Sequence, residues 1–262
     1  MTATTSNFWK AATSAPALAP LREDDMTEPA IAACSAWWTG RHDPDFVARE
    51  IVGPLAIADL VAVQFDHGAL RDRRAAGIRP TDDLLVLRVL LACRRSGRTS
   101  AELATLLGFS ESGIRRAVRD AYEVGAMVAS EGRRHRTHPA WRPAAKRLVA
   151  VELKRSDWQR AAQQALAYQE WANTSWLVLG QRPPLSAVEQ LEGSGLGLAY
   201  LGDDGQLNRV LRPTSRRRPM GHGSVWAAEQ ALVHALASGV DPLAAVRPGR
   251  ATSPAAWASI SR

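Results

Sequence analysis

The chain has 262 residues, with 33 basic against 26 acidic side chains and a formal net charge of +7. Hydrophobic residues make up 46% and charged residues 23% of the chain, a balance that excludes disordered and collagen-like proteins. No apolar run approaches the roughly 20 residues that a membrane helix needs, and the cysteines, Cys34 and Cys93, are too few for a disulfide framework. We therefore expect a protein of the reducing cytoplasm that has no membrane partner.

The N-terminal quarter predicts an arm, two helices and a buried strand. Residues 1–25 are rich in Ala, Thr, Ser and Pro without a sustained period, so we expect a flexible arm. Helices are expected over residues 28–39 and 44–50. Residues 54–66 form an apolar, partly β-branched run that is typical of a buried strand.

Residues 69–143 have a different character. We expect a polar linker over residues 69–80 and an amphipathic helix over 82–95. Thr99 and Glu102 have the spacing of a capping box, which begins a second helix, and a third helix is expected over residues 111–124. Two short strands, residues 125–130 and 137–141, follow with a basic turn between them. This order predicts an inserted winged helix-turn-helix domain of the α+β type.

The basic charge is concentrated in this segment. Residues 69–147 contain 17 basic and 8 acidic side chains, for a net charge of +9, whereas the rest of the chain has a net charge of −2. Polar and basic side chains on the third helix and in the turn are the candidates for contacts with DNA: Ser112, Arg115, Arg116, Arg119, Arg133, Arg134 and Arg136. The alternatives are a solvated charged face and a winged helix that binds protein.

Sheet-forming patterns return over residues 144–213. The expected elements are a strand at 147–154, a helix at 157–173, a strand at 175–180, a helix at 186–192, and strands at 195–201 and 206–211 that form a hairpin. Residues 214–262 predict a C-terminal helix over residues 224–237 and a tail.

Three charged residues on two of these strands suggest a site. Glu152 and Lys154 lie on one face of a strand, because strand side chains repeat every two residues. Lys154 is one of only three lysines, with Lys10 and Lys146, in a chain that otherwise uses arginine. Asp59 stands inside the earlier apolar run, and if the two strands pair, Asp59 and Glu152 can converge on one divalent cation. The alternative is a surface strand whose polar face happens to carry a charge pair.

The pattern of Asp59, Glu152 and Lys154, followed by Gln164 and Tyr168 at helical spacing, resembles the PD-(D/E)xK nuclease-like superfamily. The resemblance covers residues 44–66 and 144–213. It implies an α/β fold with a restriction-endonuclease-like central mixed sheet flanked by helices. The core would be discontinuous, over residues 26–68 and 144–213, because the winged helix stands where the family usually has a short connection.

The resemblance also implies a role for each matching residue. Catalysis would rest on Glu50, Asp59, Glu152 and Lys154. The metal would be bound by Asp59, Glu152 and the main chain of Leu153, and Gln164 and Tyr168 would contact DNA or support the site. Glu50 could equally be an ordinary solvated residue, and Gln164 and Tyr168 could simply pack.

The expected function is that of a Mg²⁺-dependent (or Mn²⁺-dependent) DNA endonuclease that uses the inserted winged helix to hold double-stranded DNA. The alternative is a DNA-binding transcription regulator whose nuclease-like part is a catalytically silent scaffold. A third possibility is a subunit of a larger assembly. Whether the chain forms a homodimer is left open.

Overall fold

The computed structural model describes residues 23–34, 38, 43–202, 204–215 and 221–244. Most of the expected N-terminal arm and the expected tail after residue 244 lie outside the described residues. The last three residues of the expected arm, 23–25, belong to a helix.

The elements are, in chain order, α1 (Glu23–Ala32), β1 (Phe46–Val52), β2 (Ile57–Phe65), α2 (His67–Ala75), α3 (Leu84–Ala92), α4 (Ser100–Leu107), α5 (Glu111–Glu123), β3 (Met127–Ser130), β4 (Arg134–Thr137), β5 (Ala145–Lys154), α6 (Trp158–Ala167), β6 (Thr174–Leu179), α7 (Leu185–Leu191), β7 (Gly197–Leu201), β8 (Leu207–Leu211) and α8 (His222–Ala237). A short 3-10 turn, Tyr168–Glu170, continues α6.

A mixed six-stranded sheet with the order β1-β2-β5-β6-β7-β8 organises the chain. β1, β2 and β5 pair antiparallel, β5, β6 and β7 pair parallel, and β8 is antiparallel to β7. α1 covers one face, where Met26 packs with Leu60, Val149 and Trp176. Helices α6 and α8 supply buried residues to the apolar cluster on the other face. The expected α/β architecture, with a mixed sheet flanked by helices, is confirmed.

Residues 66–144, which we call the inserted segment, lie between β2 and β5. The chain leaves the sheet at Phe65 and returns at Ala145, and these two residues are cross-strand partners. The inserted segment contains α2 to α5 and the β3–β4 hairpin. Helices α3 to α5 and the hairpin pack around a second apolar cluster, whereas Leu70 of α2 belongs to the cluster of the sheet. The Thr99–Glu102 capping box is confirmed, because each side chain bonds to the backbone N–H of the other residue.

Helix α8 connects the inserted segment to the sheet. Its Ala231 belongs to the sheet's apolar cluster, whereas its Val225 belongs to the cluster of the inserted segment. Glu229 of α8 forms a two-pronged ion pair with Arg73 of α2, at 2.7 and 3.1 Å, and both side chains are 0% exposed. Trp226 donates its indole N–H to the Asp82 carbonyl at 2.8 Å. The inserted segment therefore packs firmly against the sheet domain.

Five predicted elements are wrong in type or extent. The helix expected over residues 28–39 is α1, which begins at Glu23 and ends at Ala32, and residues 35–37 and 39 lie outside the described residues. Residues 44–50 are not a helix, because Val47 and Ile51 pair with β2 as part of strand β1. The expected linker contains α2, which Asp66 caps and which buries Leu70 and Arg73. The second hairpin strand is Arg134–Thr137, so half of the expected basic turn, residues 134–136, is strand. The helix expected to reach residue 173 ends at Ala167.

Candidate functional site

The candidate site lies where β2 and β5 separate. Their last registered pair is Leu60 with Val151. Asp59 and Glu152 come immediately beyond this pair, one on each strand. The main-chain N–H of Leu153 donates to Asp59 Oδ2 at 2.6 Å, so the aspartate side chain bridges the two strands at this point.

Glu152 is 4% exposed and is held by Tyr168. Leu148 and Ala150, which alternate with Glu152 along β5, belong to the apolar cluster that includes Tyr168. The Tyr168 hydroxyl donates to Glu152 Oε2, and it also lies 2.5 Å from the Ile57 carbonyl oxygen. Because a hydroxyl carries one proton, it satisfies only one of these acceptors at a time.

The pKa of Tyr168 reflects these surroundings. Burial raises it strongly, and the hydrogen bond to Glu152 and the negative charges of Glu152 and Asp59 raise it further. The hydroxyl therefore keeps its proton at every physiological pH and acts as a hydrogen-bond donor.

Lys154 is the last residue of β5 and is half-buried. By strand alternation it projects to the same side as Glu152. Its carbonyl accepts a hydrogen bond from the Gly180 N–H at 2.9 Å, which fixes the end of β5 against the neighbouring strand. The predicted set of Asp59, Glu152 and Lys154 is thus gathered at the ends of two adjacent strands.

Glu50 lies on β1 rather than on a helix. The flanking pairs, Arg49 with Leu60 and Ile51 with Ala58, place Glu50 beside Asp59 in the register of the sheet. Its side chain is exposed, and its backbone is left-handed, with φ of 52°. Of the two expected supporting residues, Tyr168 contacts the site, and Gln164 lies one turn earlier on α6 and is half-buried.

The donor atoms at this site suit a small, hard cation. Two carboxylates and the main-chain oxygen of Leu153 lie at the separation of β2 and β5. Mg²⁺ prefers oxygen ligands, uses one or two carboxylates and keeps several waters. The described part of the chain contains no group of three or more His, Cys, Asp or Glu side chains that could hold a metal ion. A cation here would rest on two carboxylates, the main-chain oxygen of Leu153 and water.

The turn between β1 and β2, residues 53–56, lies beside the candidate site and contains none of the predicted site residues. The Ile57 carbonyl, which contacts the Tyr168 hydroxyl, follows directly after it. The side chains of Val52, Leu55 and Ile57 around this turn are exposed although they are apolar. The sequence carries one sign of this surface. Leu55 follows the Gly53-Pro54 pair, at a place in a turn where polar residues are usual.

A second candidate surface lies on the inserted segment. All seven predicted DNA-contacting residues are exposed, four on α5 and three at or beside β4. Arg115 pairs with Glu111 at 3.1 Å, and Arg134 pairs with Glu102 at 2.9 Å. Exposed ion pairs of this kind are weak, so a phosphate group could replace the carboxylate partner. A cleft of about 500 Å³ separates the start of α4, α5 and the β3–β4 hairpin.

His135 attaches the hairpin to the helices. Its ring nitrogens lie 3.2 Å from the Tyr122 hydroxyl and 3.3 Å from Ser100 Oγ. Its backbone exchanges two hydrogen bonds with Arg98, at 2.7 and 3.0 Å. Burial lowers the pKa of His135, which favours the neutral ring at this position.

Comparisons of the chain with protein-family models, with curated proteins and with solved structures found no match. Within the described ranges, no helix is both long and apolar enough to cross a bilayer. The site at Asp59 and Glu152 and the basic surface of the inserted segment are therefore the basis for a proposed function.

Proposed function

We propose that this protein is a Mg²⁺- or Mn²⁺-dependent DNA endonuclease of the PD-(D/E)xK nuclease-like type, which hydrolyses phosphodiester bonds at Asp59, Glu152 and Lys154. One observation carries the proposal. Asp59 is bound to the backbone of Leu153 at the point where two paired strands separate, beside Glu152 and with Lys154 two residues further on.

Each residue has a role in this reaction. Asp59, Glu152 and the Leu153 carbonyl would hold the cation, which polarises the phosphodiester and lowers the pKa of a bound water. Lys154 supplies a compact positive charge that can orient that water or the phosphate. The Tyr168 hydroxyl holds Glu152 in the structure. With Glu152 as a metal ligand, the hydroxyl would donate to the Ile57 carbonyl instead, so that no donor would be left unsatisfied.

The inserted segment supports the DNA part of the proposal. Helices α4 and α5 with the β3–β4 hairpin follow the order of a winged helix, in which the second helix of the pair enters the major groove. α5 presents Arg115, Arg116 and Arg119 on its exposed side, and the hairpin presents Arg133. The surplus of nine positive charges over residues 69–147 favours a polyanion as the partner.

A cleavage assay tests the proposed activity. Plasmid and linear duplex are incubated with Mg²⁺, Mn²⁺ or EDTA and with wild type, Asp59→Asn or Lys154→Ala. The matched control is Lys146→Ala, which removes an exposed lysine from the same strand. We expect metal-dependent cleavage that Asp59→Asn and Lys154→Ala abolish and that Lys146→Ala retains. DNA binding without cleavage under any metal condition would contradict the proposal.

A binding assay tests the inserted segment separately. We expect Arg116→Ala and Arg133→Ala each to weaken binding and to lower the slope of log affinity against log salt by about one phosphate contact. Arg209→Ala, an exposed arginine on β8, is the control and should leave the slope unchanged. Equal slopes for all four proteins would contradict a DNA-binding role for this surface.

The second candidate function is a DNA-binding transcription regulator with a catalytically silent scaffold. It is favoured by the burial of Glu152, which is 4% exposed and already bonded by Tyr168. In that case Asp59→Asn and wild type would give identical footprints on a specific DNA sequence, and neither would cleave it.

A further inference from the structure

The turn between β1 and β2 carries exposed apolar side chains next to the candidate site. Leu55 is 72% exposed, Ile57 is 53% exposed and Val52 is 38% exposed. The run from Ile51 to Ala58 contains no charged or hydrogen-bonding side chain. Exposed apolar groups clustered in this way usually mark a contact surface, whereas scattered ones need no explanation.

The turn is held rigidly. The Gly53 N–H donates to the Ala56 carbonyl at 2.9 Å. The side-chain amide of Gln230 on α8 accepts from the Val52 N–H at 3.1 Å and donates to the Val52 carbonyl at 2.8 Å. A Cβ atom at Gly53 would lie 2.6 Å from Nε1 of Trp171, so the backbone is packed directly against that indole. The apolar side chains are therefore presented by a fixed backbone.

The turn also lies within reach of a scissile phosphate. Ile57 is two residues from Asp59 on the same strand, a distance of roughly 6.6 Å. Its carbonyl contacts the Tyr168 hydroxyl, which is bonded to Glu152. Successive nucleotides on one strand of a duplex rise by about 3.4 Å, so the separation of Ile57 from Asp59 corresponds to about two base steps.

We propose that Leu55 and Ile57 form an apolar wedge that enters the base stack of duplex DNA beside the phosphate at Asp59 and Glu152. This inference rests on the proposed function. Apolar side chains that insert between base pairs unstack one step and kink the duplex. The wedge therefore predicts a preference for steps that unstack easily, such as pyrimidine–purine steps and mismatches, without any hydrogen bond to a base edge.

Duplex DNA is the occupant we infer because the turn is continuous with the carboxylates at which the phosphodiester is proposed to bind. The apolar side chains of the turn suit insertion between bases, whereas the basic inserted segment supplies the phosphate contacts.

A fluorescence experiment tests the wedge. Duplexes with 2-aminopurine at successive positions are titrated with the Lys154→Ala protein in Mg²⁺, so that binding is observed without cleavage. The test variant adds Leu55→Ser. The matched control adds Leu185→Ser, which alters a leucine of α7 with 71% exposure. We expect a several-fold rise in fluorescence at one base step, lost with Leu55→Ser and kept with Leu185→Ser.

Cleavage rates provide the second readout. In the protein with its native Lys154, Leu55→Ser should lower kcat/KM for a fully paired duplex by about tenfold or more. The loss should be smaller for a duplex with a mismatch at the cleaved step, because a mismatched step unstacks more easily. An equal loss on both substrates would overturn the wedge.

The remaining outcomes are also decisive. No fluorescence rise with any protein, or the same rise with Leu55→Ser, would overturn the wedge. If light scattering shows that Leu55→Ser has a lower molecular mass than wild type, the turn is an interface between two copies of the chain. That result would also overturn the wedge. If wild type cleaves DNA but the fluorescence is unaffected by Leu55→Ser, only the wedge fails. If wild type never cleaves, the proposed function fails, and the fluorescence still decides the wedge.

Discussion

The ion pair between Arg73 and Glu229 allows a quantitative test of how the inserted segment is held. Glu229→Leu removes the carboxylate and leaves a fully buried guanidinium that has lost hydrogen bonds of 2.7 and 3.1 Å. The contact with the Trp141 ring, 5.0 Å from the guanidinium carbon, cannot replace a carboxylate. Removing one partner of a buried pair costs about 3–5 kcal/mol.

The double variant Arg73→Met with Glu229→Leu separates the charge from the packing. Two apolar side chains of similar volume remove both buried charges, so we expect stability within about 1 kcal/mol of wild type, or above it. Among the described residues Arg73 Nε has no hydrogen-bond partner, which is a further penalty that methionine removes. The exposed pair of Arg115 with Glu111 is the control, and Arg115→Met should cost no more than about 1 kcal/mol.

Urea denaturation followed by circular dichroism and by tryptophan fluorescence measures these changes. The coupling between positions 73 and 229 should be at least about 2 kcal/mol. A loss below about 1 kcal/mol for Glu229→Leu, or a double variant as unstable as the sum of the singles, would refute the reasoning.

Three further outcomes are expected. Burial lowers the pKa of His135, so the unfolded chain takes up the proton first, and stability should fall as the pH drops below about 6.5. Thermal unfolding at about pH 7.5 and about pH 5.5 measures this fall. The melting temperature of His135→Asn should drop less between the two pH values than that of wild type, and an equal drop would contradict the role of His135. Burial raises the pKa of the Cys93 thiol to about 11. In a Cys34→Ser protein, we therefore expect a disulfide reagent to label Cys93 only at the rate at which the inserted segment opens. Labelling as fast as that of a free thiol would contradict this. Thr99→Ala loses the capping box with Glu102 and should lower the free energy of unfolding by about 1 kcal/mol in urea denaturation, whereas Thr99→Ser should keep it. Equal urea midpoints for the two variants would contradict the role of the cap.

The strands that carry Asp59 and Glu152 could be predicted from the sequence. Both residues stand in continuous apolar runs with β-branched residues, and such runs are typical of buried strands. The structure confirms both strands as β2 and β5. Their pairing entered the sequence argument only as a condition, and the sheet order supplies it. The role of these residues in hydrolysis stays a prediction.

The position of Glu50 could not be predicted from local pattern. Residues 44–50 are compatible with either a helix or a strand, and pairing with β2 decides between them. The same limit applies to α2. Its helix depends on the Asp66 cap and on the burial of Arg73 against Glu229, a residue 156 positions away. Sequence periodicity carries no information about a partner at that distance.

The contacts of α8 have a consequence for synthesis of the chain on the ribosome. Val52 lies on the edge strand β1, and its backbone groups are bonded by Gln230, which is 178 positions later. At 5–20 residues per second, roughly 10–40 seconds separate the translation of these two residues. During that interval β1 lacks its contact with α8, and an edge strand left open in this way is a state in which chaperones bind and chains aggregate. A nascent chain that stops short of residue 222 would remain in that state.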